Sequence, residues 1–407
     1  MSAPRIGVLS VGVTELPDRV RQSSGEPVSL TLPIGRPMGG VALAREWVAD
    51  VAQISCASEN LDGLLVTARE SEELAGFLIS ALRLNLPAVV APAAPTAFGI
   101  VPHALGLSPL GEDEAEVAVA AACGSGPRPK DLVENFSLAN ALRAGCALDG
   151  GPELLVHLSA IAREAGVVGF SRMIRVLAPE TPASTAPTTA WYAEHGAGGL
   201  LASLGDAIND TPTVTGNLKE ELPEPPPKPD RIGSRLVFVE GRASGVEALC
   251  RVERPETEVS GTCRVFGSYE EAVRVVEKGM EPGTLSVVVG CGPRGGPGLV
   301  KLELLEEALN DAGPAATVLT DGLAPGGVAG ARISLLTPEA ASGGVMGLLR
   351  DGDTLRIDLA ERRIRTGVRA DELEARDPYE SPEPAGAGYA ARYARSALPA
   401  LEGAGFG

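Results

Sequence analysis

The chain has 407 residues, a length that suits two domains. Its 53 acidic and 35 basic residues give a formal net charge of −18 at pH 7, which argues against nucleic acid and anionic membrane surfaces as partners. The sequence shows no signal-peptide pattern and no apolar run of the roughly 20 residues that span a bilayer. Its six cysteines are scattered and show no metal-ligand spacing. We therefore predict a cytoplasmic protein with reduced thiols.

The first half of the chain alternates short apolar runs with amphipathic stretches. This alternation predicts strands separated by helices, which is typical of a parallel sheet with helices packed on it. The predicted strands are 5–13, 61–67 and 87–90, and the predicted helices are 41–54, 70–84, 131–147, 153–165 and 191–204, the last interrupted by glycines.

A proline-rich segment, LPEPPPKPD at 222–230, separates two regions of different pattern. Such a segment favours an extended, semi-rigid linker, and the sequence after it is rich in short strand candidates. We therefore predict an α/β protein with a parallel-sheet domain (1–222), a linker (223–230), a β-rich, barrel-like domain with a few helices (231–372) and a tail with a short helix (373–407). The later predicted strands are 235–239, 247–252, 263–266, 285–289, 316–319, 332–336 and 354–358, and the helices are 268–278, 300–310 and 389–398.

Two glycine-rich turns directly follow strand candidates of the second domain. The first is GPRGGPG at 292–298, and the second is the TDG sequence at 320–322 with two more glycines shortly after it. Backbone N–H groups of such turns bind anions, although the glycines are also explained by tight turns alone, and an aspartate there by bonding to its own backbone. The predicted substrate-binding residues are Arg294, Gly295, Gly296, Asp321, Gly326 and Gly327.

The order of several motifs resembles the dihydroxy-acid dehydratase and phosphogluconate dehydratase family. The resemblance covers nearly the whole chain, but family members are much longer, so it implies a shortened and divergent member. It also implies a swivelling second domain and a homodimer. The motifs are AREWVAD (44–50), SALRLNLP (80–87), the segment 135–167, SGTCRVF (260–266), the turns at 292–298 and 320–330, the segment 338–358 and GYAARYAR (388–395).

The family dehydrates polyhydroxy acids to 2-oxo acids with an iron–sulfur cluster, a magnesium ion and a serine base. This chain departs from that set at each matching position. Residues 70–72 read Glu-Ser-Glu where the family has Cys-Asp-Lys, Lys301 replaces a glutamate and Pro325 replaces the serine. The segments 12–18 and 93–98 lack the cysteines expected there. We therefore predict no iron–sulfur cluster, no metal and no other cofactor.

A few titratable residues remain as candidates for chemistry. Glu70 and Glu72 are crowded carboxylates suited to acid–base work, or simply an acidic helix start. Lys301 is suited to binding a substrate carboxylate, or is a solvated lysine. His195 titrates near neutrality if it is unperturbed, and Cys291 reads as a buried, inert thiol rather than a nucleophile. The predicted catalytic residues are Glu70, Glu72, His195 and Lys301.

Two functions follow as hypotheses. The first is a metal-independent lyase or isomerase that acts on a small hydroxylated or carboxylate metabolite in the cleft between the domains. The second is a non-catalytic binding or regulatory subunit. The retained glycine-rich turns favour the first, and the loss of the family's catalytic positions favours the second.

Overall fold

The chain divides into two compact units in a computed structural model. Unit 1 comprises Met1–Arg36, Ala44–Gly150 and His157–Gly233, and unit 2 comprises Pro37–Leu43, Gly151–Val156 and Ser234–Gly407. The structure describes residues 2–33, 39–92, 96–124, 126–184, 188–241, 246–252, 258–281, 283–311, 317–324, 331–381 and 388–407.

A four-stranded parallel sheet with the order β2-β1-β3-β4 lies in unit 1. Ile6 of β1 pairs with Pro27 on one side and with Gly63 on the other. The apolar runs of β1 and β3 are buried, as expected for strands of a parallel sheet covered by helices. The second strand was not predicted, because its half-exposed polar pattern and its proline suit only a sheet edge. The strands are β1 Arg5–Val11, β2 Glu26–Leu32, β3 Gly63–Val66 and β4 Ala88–Val90.

Helices account for most of the remaining chain up to residue 221. One predicted helix, 131–147, is two helices, because the Glu134 side chain caps a new start by accepting the N–H groups of Phe136 (3.0 Å) and Ser137 (3.1 Å). No helix in the described ranges is long and apolar enough to cross a bilayer. The helices are α1 Leu16–Gln22, α2 Val41–Ala57, α3 Ser71–Leu84, α4 Val101–Ala104, α5 Glu114–Cys123, α6 Pro129–Leu132, α7 Asn135–Ala147, α8 Pro152–Glu164, α9 Phe170–Glu180, α10 Thr188–Ser203 and α11 Leu218–Glu221.

Unit 2 is built on a closed eight-stranded barrel with the order β10-β6-β5-β12-β11-β7-β8-β9. Val287, Ile333 and Ile357 are fully buried in its apolar core. The predicted fold class, a parallel-sheet α/β domain followed by a barrel-like domain, is therefore confirmed. The last strand was not predicted, since four residues with two exposed arginines give too short a pattern. The strands are β5 Leu236–Glu240, β6 Glu247–Val252, β7 Glu258–Phe266, β8 Thr284–Val288, β9 Thr317–Thr320, β10 Ala331–Thr337, β11 Thr354–Asp358 and β12 Arg363–Thr366.

Two helices of unit 2 pack against the barrel, and another lies in the C-terminal segment. An apolar cluster that includes Val276, Leu302 and Leu305 holds the first two of them. The C-terminal segment folds back on itself, because the Tyr393 hydroxyl donates to the Ala404 carbonyl and Phe406 packs edge-on against the tyrosine ring at 5.4 Å. The helices are α12 Tyr269–Val276, α13 Glu303–Asp311, α14 Ala370–Glu374 and α15 Tyr389–Ser396.

A buried ion pair joins α13 to the barrel. The guanidinium of Arg332 on β10 contacts the carboxylate of Glu306 on α13, and the side chains are 0% and 5% exposed. A charge at that depth depends on its partner, because removal of one member takes the nearest opposite charge away from the other.

We expect Arg332→Met to lower the free energy of unfolding by about 3–5 kcal/mol, because Glu306 loses its buried partner. Urea denaturation measures this loss. The control is Arg356→Met, which removes a surface ion pair with Glu258 and should lower the free energy of unfolding by less than about 1 kcal/mol. Equal losses in the two variants would contradict the conclusion that the buried pair stabilises the fold more than a surface pair.

Candidate functional site

The Asp321 carboxylate holds the glycine-rich turn of unit 2 in place. It lies after β9, is 1% exposed, and accepts hydrogen bonds from the backbone N–H groups of Gly290 (3.3 Å), Cys291 (2.8 Å) and Ala340 (3.0 Å). One buried side chain therefore fixes the start of the turn and the chain that follows β10, and these three bonds offset part of the cost of burying its charge.

Glu339 fixes the other half of the same turn. Its carboxylate accepts the Arg294 N–H at 3.0 Å and lies 3.3 Å from the Ser342 hydroxyl. A Cβ atom at Gly292 would overlap that carboxylate, so a larger residue there would displace it. Sequence reasoning missed Glu339 as a site residue, although the PEAASGG motif at 338–344 contains it.

The environment of these two carboxyl groups shifts their proton affinities. Burial raises the pKa of Asp321. Burial, with an added contribution from the nearby Asp321 charge, raises the pKa of Glu339 to about 6, above the usual 4.5. A carboxyl group that titrates close to neutrality can both accept and donate a proton at physiological pH.

A pocket of about 260 Å³ opens beside this pair. The exposed Arg294 side chain lies at its edge, where its Nε donates to the Ala397 carbonyl at 3.2 Å. Because the nearby backbone N–H groups already bind the two carboxylates, an anionic ligand would be bound by the guanidinium. The lining residues are Pro293, Arg294, Asp321, Leu336, Thr337, Pro338, Glu339, Ser342, Ala397, Pro399 and Ala400.

The predicted binding residues divide between this pocket and an undescribed segment. Arg294 and Asp321 line the pocket. The backbone of Gly295 bonds to Glu339, and Gly296 belongs to the same turn. The predicted Gly326 and Gly327, together with Pro325, lie outside the described residues.

Lys301 is held in an ion pair within unit 2. Its Nζ lies 2.8 Å from a carboxylate oxygen of Glu153 and 3.6 Å from one of Glu303. Two carboxylates therefore balance its charge, and this arrangement favours a structural role over the predicted binding of a substrate carboxylate.

Glu70 and Glu72 lie at the start of α3 in unit 1. Glu70 is the exposed N-cap residue, and its N–H donates to the Glu73 side chain at 3.3 Å. Capping of the helix therefore explains why a glutamate lies at this position. Glu72 differs, because its carboxylate lies within 4.8 Å of a ring nitrogen of the buried His157. The His157 Nδ1 is also 3.3 Å from the Arg45 guanidinium.

His195 lies on α10, and its ring centroid is 4.7 Å from that of Trp191. It lines an open pocket of about 790 Å³ in unit 1, together with His103, Tyr192 and Glu221. The structure thus gives this predicted residue a cavity and polar neighbours that the sequence did not reveal, since they come from distant parts of the chain.

The cysteines do not fit an iron–sulfur cluster. All six fall in the described residues, and none belongs to a group of three potential ligands whose ligand atoms lie within 4.8 Å of one another. Cys250 and Cys263 pack among aliphatic side chains in the barrel core. Burial raises the pKa of each of these two thiols to about 12 and raises that of Cys291 further, whereas a cluster needs thiolates.

Comparison with known proteins identifies the family. Residues 237–404 match the family described as dihydroxy-acid/6-phosphogluconate dehydratase, C-terminal. The chain belongs to this dehydratase family. It is 28% identical over 456 aligned positions to a dihydroxy-acid dehydratase of Citrifermentans bemidjiense, covering 88% of this chain and 82% of that protein. It is 32% identical over 347 positions to one of Thermus thermophilus, covering 74% and 62%. The resemblance predicted from the sequence is confirmed.

The raised pKa of Glu339 predicts a specific dependence of stability on pH. Because the folded state binds this proton more tightly, the stabilisation is complete below pH 4.5 and is lost as the pH rises through 6, a change of about 2 kcal/mol. Relative to the wild type, Glu339→Gln should therefore become more stable by that amount between pH 4.5 and 7. Urea denaturation at several pH values measures the difference, and Glu361→Gln, at an exposed position, is the control.

A difference between Glu339→Gln and the wild type that does not change with pH would show that the carboxyl group titrates normally. The same conclusion would follow if the exposed control variant gave an equal slope.

Proposed function

We propose that this chain is a dehydratase-type lyase that acts on a small hydroxylated carboxylic acid in the 260 Å³ pocket of unit 2. The observation that carries this proposal is the position of a cation, Arg294, and a buried carboxyl group of near-neutral pKa, Glu339, on the same pocket. The names of the relatives support the reaction class, since they are dihydroxy-acid dehydratases.

The roles follow from the chemistry of the two side chains. Arg294 binds the substrate carboxylate through its guanidinium. Glu339, as the carboxylate, takes the proton from the carbon next to that group and returns it to the hydroxyl on the following carbon, which leaves as water. The resulting enol rearranges to a 2-oxo acid, so atoms and charges balance. The step as proposed uses no metal ion, and the placement of the cysteines argues against an iron–sulfur cluster.

Asp321 is a positioning residue in this scheme. It does not need to reach the substrate, because its bonds to Gly290, Cys291 and Ala340 hold the turn that carries Arg294 and the chain that carries Glu339. The predicted catalytic roles of Glu70, Glu72, His195 and Lys301 stay predictions, as do the homodimer and the cytoplasmic location.

A second candidate is a binding or regulatory subunit without turnover. Two observations favour it: the chain's own carboxylates occupy backbone donors of the glycine-rich turn, and two glutamates balance the charge of Lys301. Both arrangements stabilise the scaffold without a substrate.

We expect the purified protein to convert a 2,3-dihydroxy acid or an aldonic acid to the 2-oxo acid, followed by proton NMR. Glu339→Gln should lower kcat by a factor on the order of 10²–10⁴, because the acid–base group is lost. Arg294→Ala should mainly raise KM, whereas Arg274→Ala, at an exposed position of the same unit, should change neither. Saturable binding without turnover would favour the second candidate, and the absence of both would contradict the two proposals.

We expect the protein to be colourless, to contain no stoichiometric iron by elemental analysis, and to keep its turnover after treatment with a chelator, because Cys250, Cys263 and Cys291 are buried in apolar cores and the proposed step uses only Arg294 and Glu339. Stoichiometric iron, or a loss of turnover that added iron or magnesium restores, would contradict the metal-independent step.

A further inference from the structure

The open pocket of unit 1 contains polar groups that the proposed function does not use. It has a volume of about 790 Å³ and lies between the α4–α5 region and the α10–α11 region. Its lining residues all belong to unit 1, whereas Arg294 and Glu339 belong to unit 2.

The first of these groups is the His103 imidazole. Its Nδ1 is buried and makes no hydrogen bond to any described residue. The backbone of Ser108 and of Pro109 interacts with the ring. With the hydrogen on Nε2, the Nδ1 atom is a hydrogen-bond acceptor. Burial lowers the pKa of His103 to about 4, so the ring is neutral at pH 7.

The second group is the Glu221 carboxylate at the end of α11. One of its oxygens, Oε1, accepts hydrogen bonds from the hydroxyls of Thr213 and Thr215, which fixes the side chain in place. The other, Oε2, is buried and has no hydrogen-bond partner among the described residues. A buried acceptor of this kind costs free energy until a donor reaches it.

The charge around the pocket is negative. Glu112 and Glu114 line it together with Glu221, and its described lining includes no lysine or arginine. Glu114 is partly balanced by Arg19 at 2.7 Å, but no cation reaches Glu221 in the described residues. The two atoms without a hydrogen-bond partner among the described residues, His103 Nδ1 and Glu221 Oε2, are therefore acceptors in a region of negative potential. They match a ligand with N–H donors and a positive charge.

We propose that this pocket binds a small hydroxylated primary amine, with its ammonium group on Glu221 Oε2 and His103 Nδ1. An ammonium group has three donors and no acceptor, which matches the two acceptors that line this pocket. Tyr192 and His195 on the same wall supply further polar contacts for the hydroxyls. The site adds a second binding function to the chain and does not depend on dehydration in unit 2.

The experiment is isothermal titration calorimetry of the full chain with glucosamine, in 0.15 M NaCl at pH 7. Glucose and gluconate serve as the neutral and anionic analogues of similar size. We expect saturable one-to-one binding of glucosamine alone. Because a net charge of −18 attracts any cation, the titration is repeated in 0.5 M NaCl, where bound amine should persist and non-specific attraction should be screened.

Variants separate the site from the surface. Glu221→Gln keeps an oxygen for the two threonines but replaces Oε2 by a donor, so it should weaken binding about tenfold or more. His103→Leu should also weaken binding, while His103→Asn retains a side-chain oxygen near the Nδ1 position and should bind more tightly than the leucine variant. Glu116→Gln, an exposed change on α5, removes the same charge and should bind normally.

Thermal unfolding confirms that each variant is folded before titration. No saturable heat with glucosamine, equal binding of gluconate, loss of binding in 0.5 M NaCl, or unchanged binding by Glu221→Gln would each overturn the proposal. Dehydration in unit 2 is scored separately, so the failure of one proposal leaves the other intact.

Discussion

The turns and the pocket of unit 2 depend on one buried carboxylate. Asp321 is almost fully withdrawn from solvent, and the N–H groups that compensate its charge belong to Gly290, Cys291 and Ala340, on two separate stretches of chain. Because an uncompensated charge at that depth is costly, the turn after β8 and the segment after β10 must stay together. That constraint brings Glu339 to Arg294 and creates the pocket between them.

The same packing around Asp321 also sets the pKa and the orientation of the Glu339 carboxyl group. Its burial and its proximity to Asp321 keep the proton bound to higher pH than usual, while bonds to Arg294 N–H and Ser342 hold the carboxyl group in one orientation. A scaffold that relatives named dihydroxy-acid dehydratases share thus holds a buried carboxyl group whose pKa is raised to about 6.

The sequence predicted much of the fold and part of the site. Apolar runs located β1, β3 and most barrel strands, but β2 and β12 were missed, because edge exposure and short length weaken the alternating pattern. The glycine-rich turns pointed to Arg294 and Asp321, which line one pocket, and their role in binding stays a prediction. Glu339 was missed, since its raised pKa arises from burial and from a neighbour 18 positions away in the sequence, which no local pattern reports.

The central claim is that Glu339 is a buried carboxyl group with a pKa near neutrality beside an arginine. Its most direct test is a carbon-13 NMR titration of side-chain carboxyl groups in glutamate-labelled protein, with the Glu339 signal assigned by its absence in the glutamine variant. The account predicts a midpoint at about 6, unchanged by a chelator. A midpoint at or below the ordinary 4.5 would contradict it.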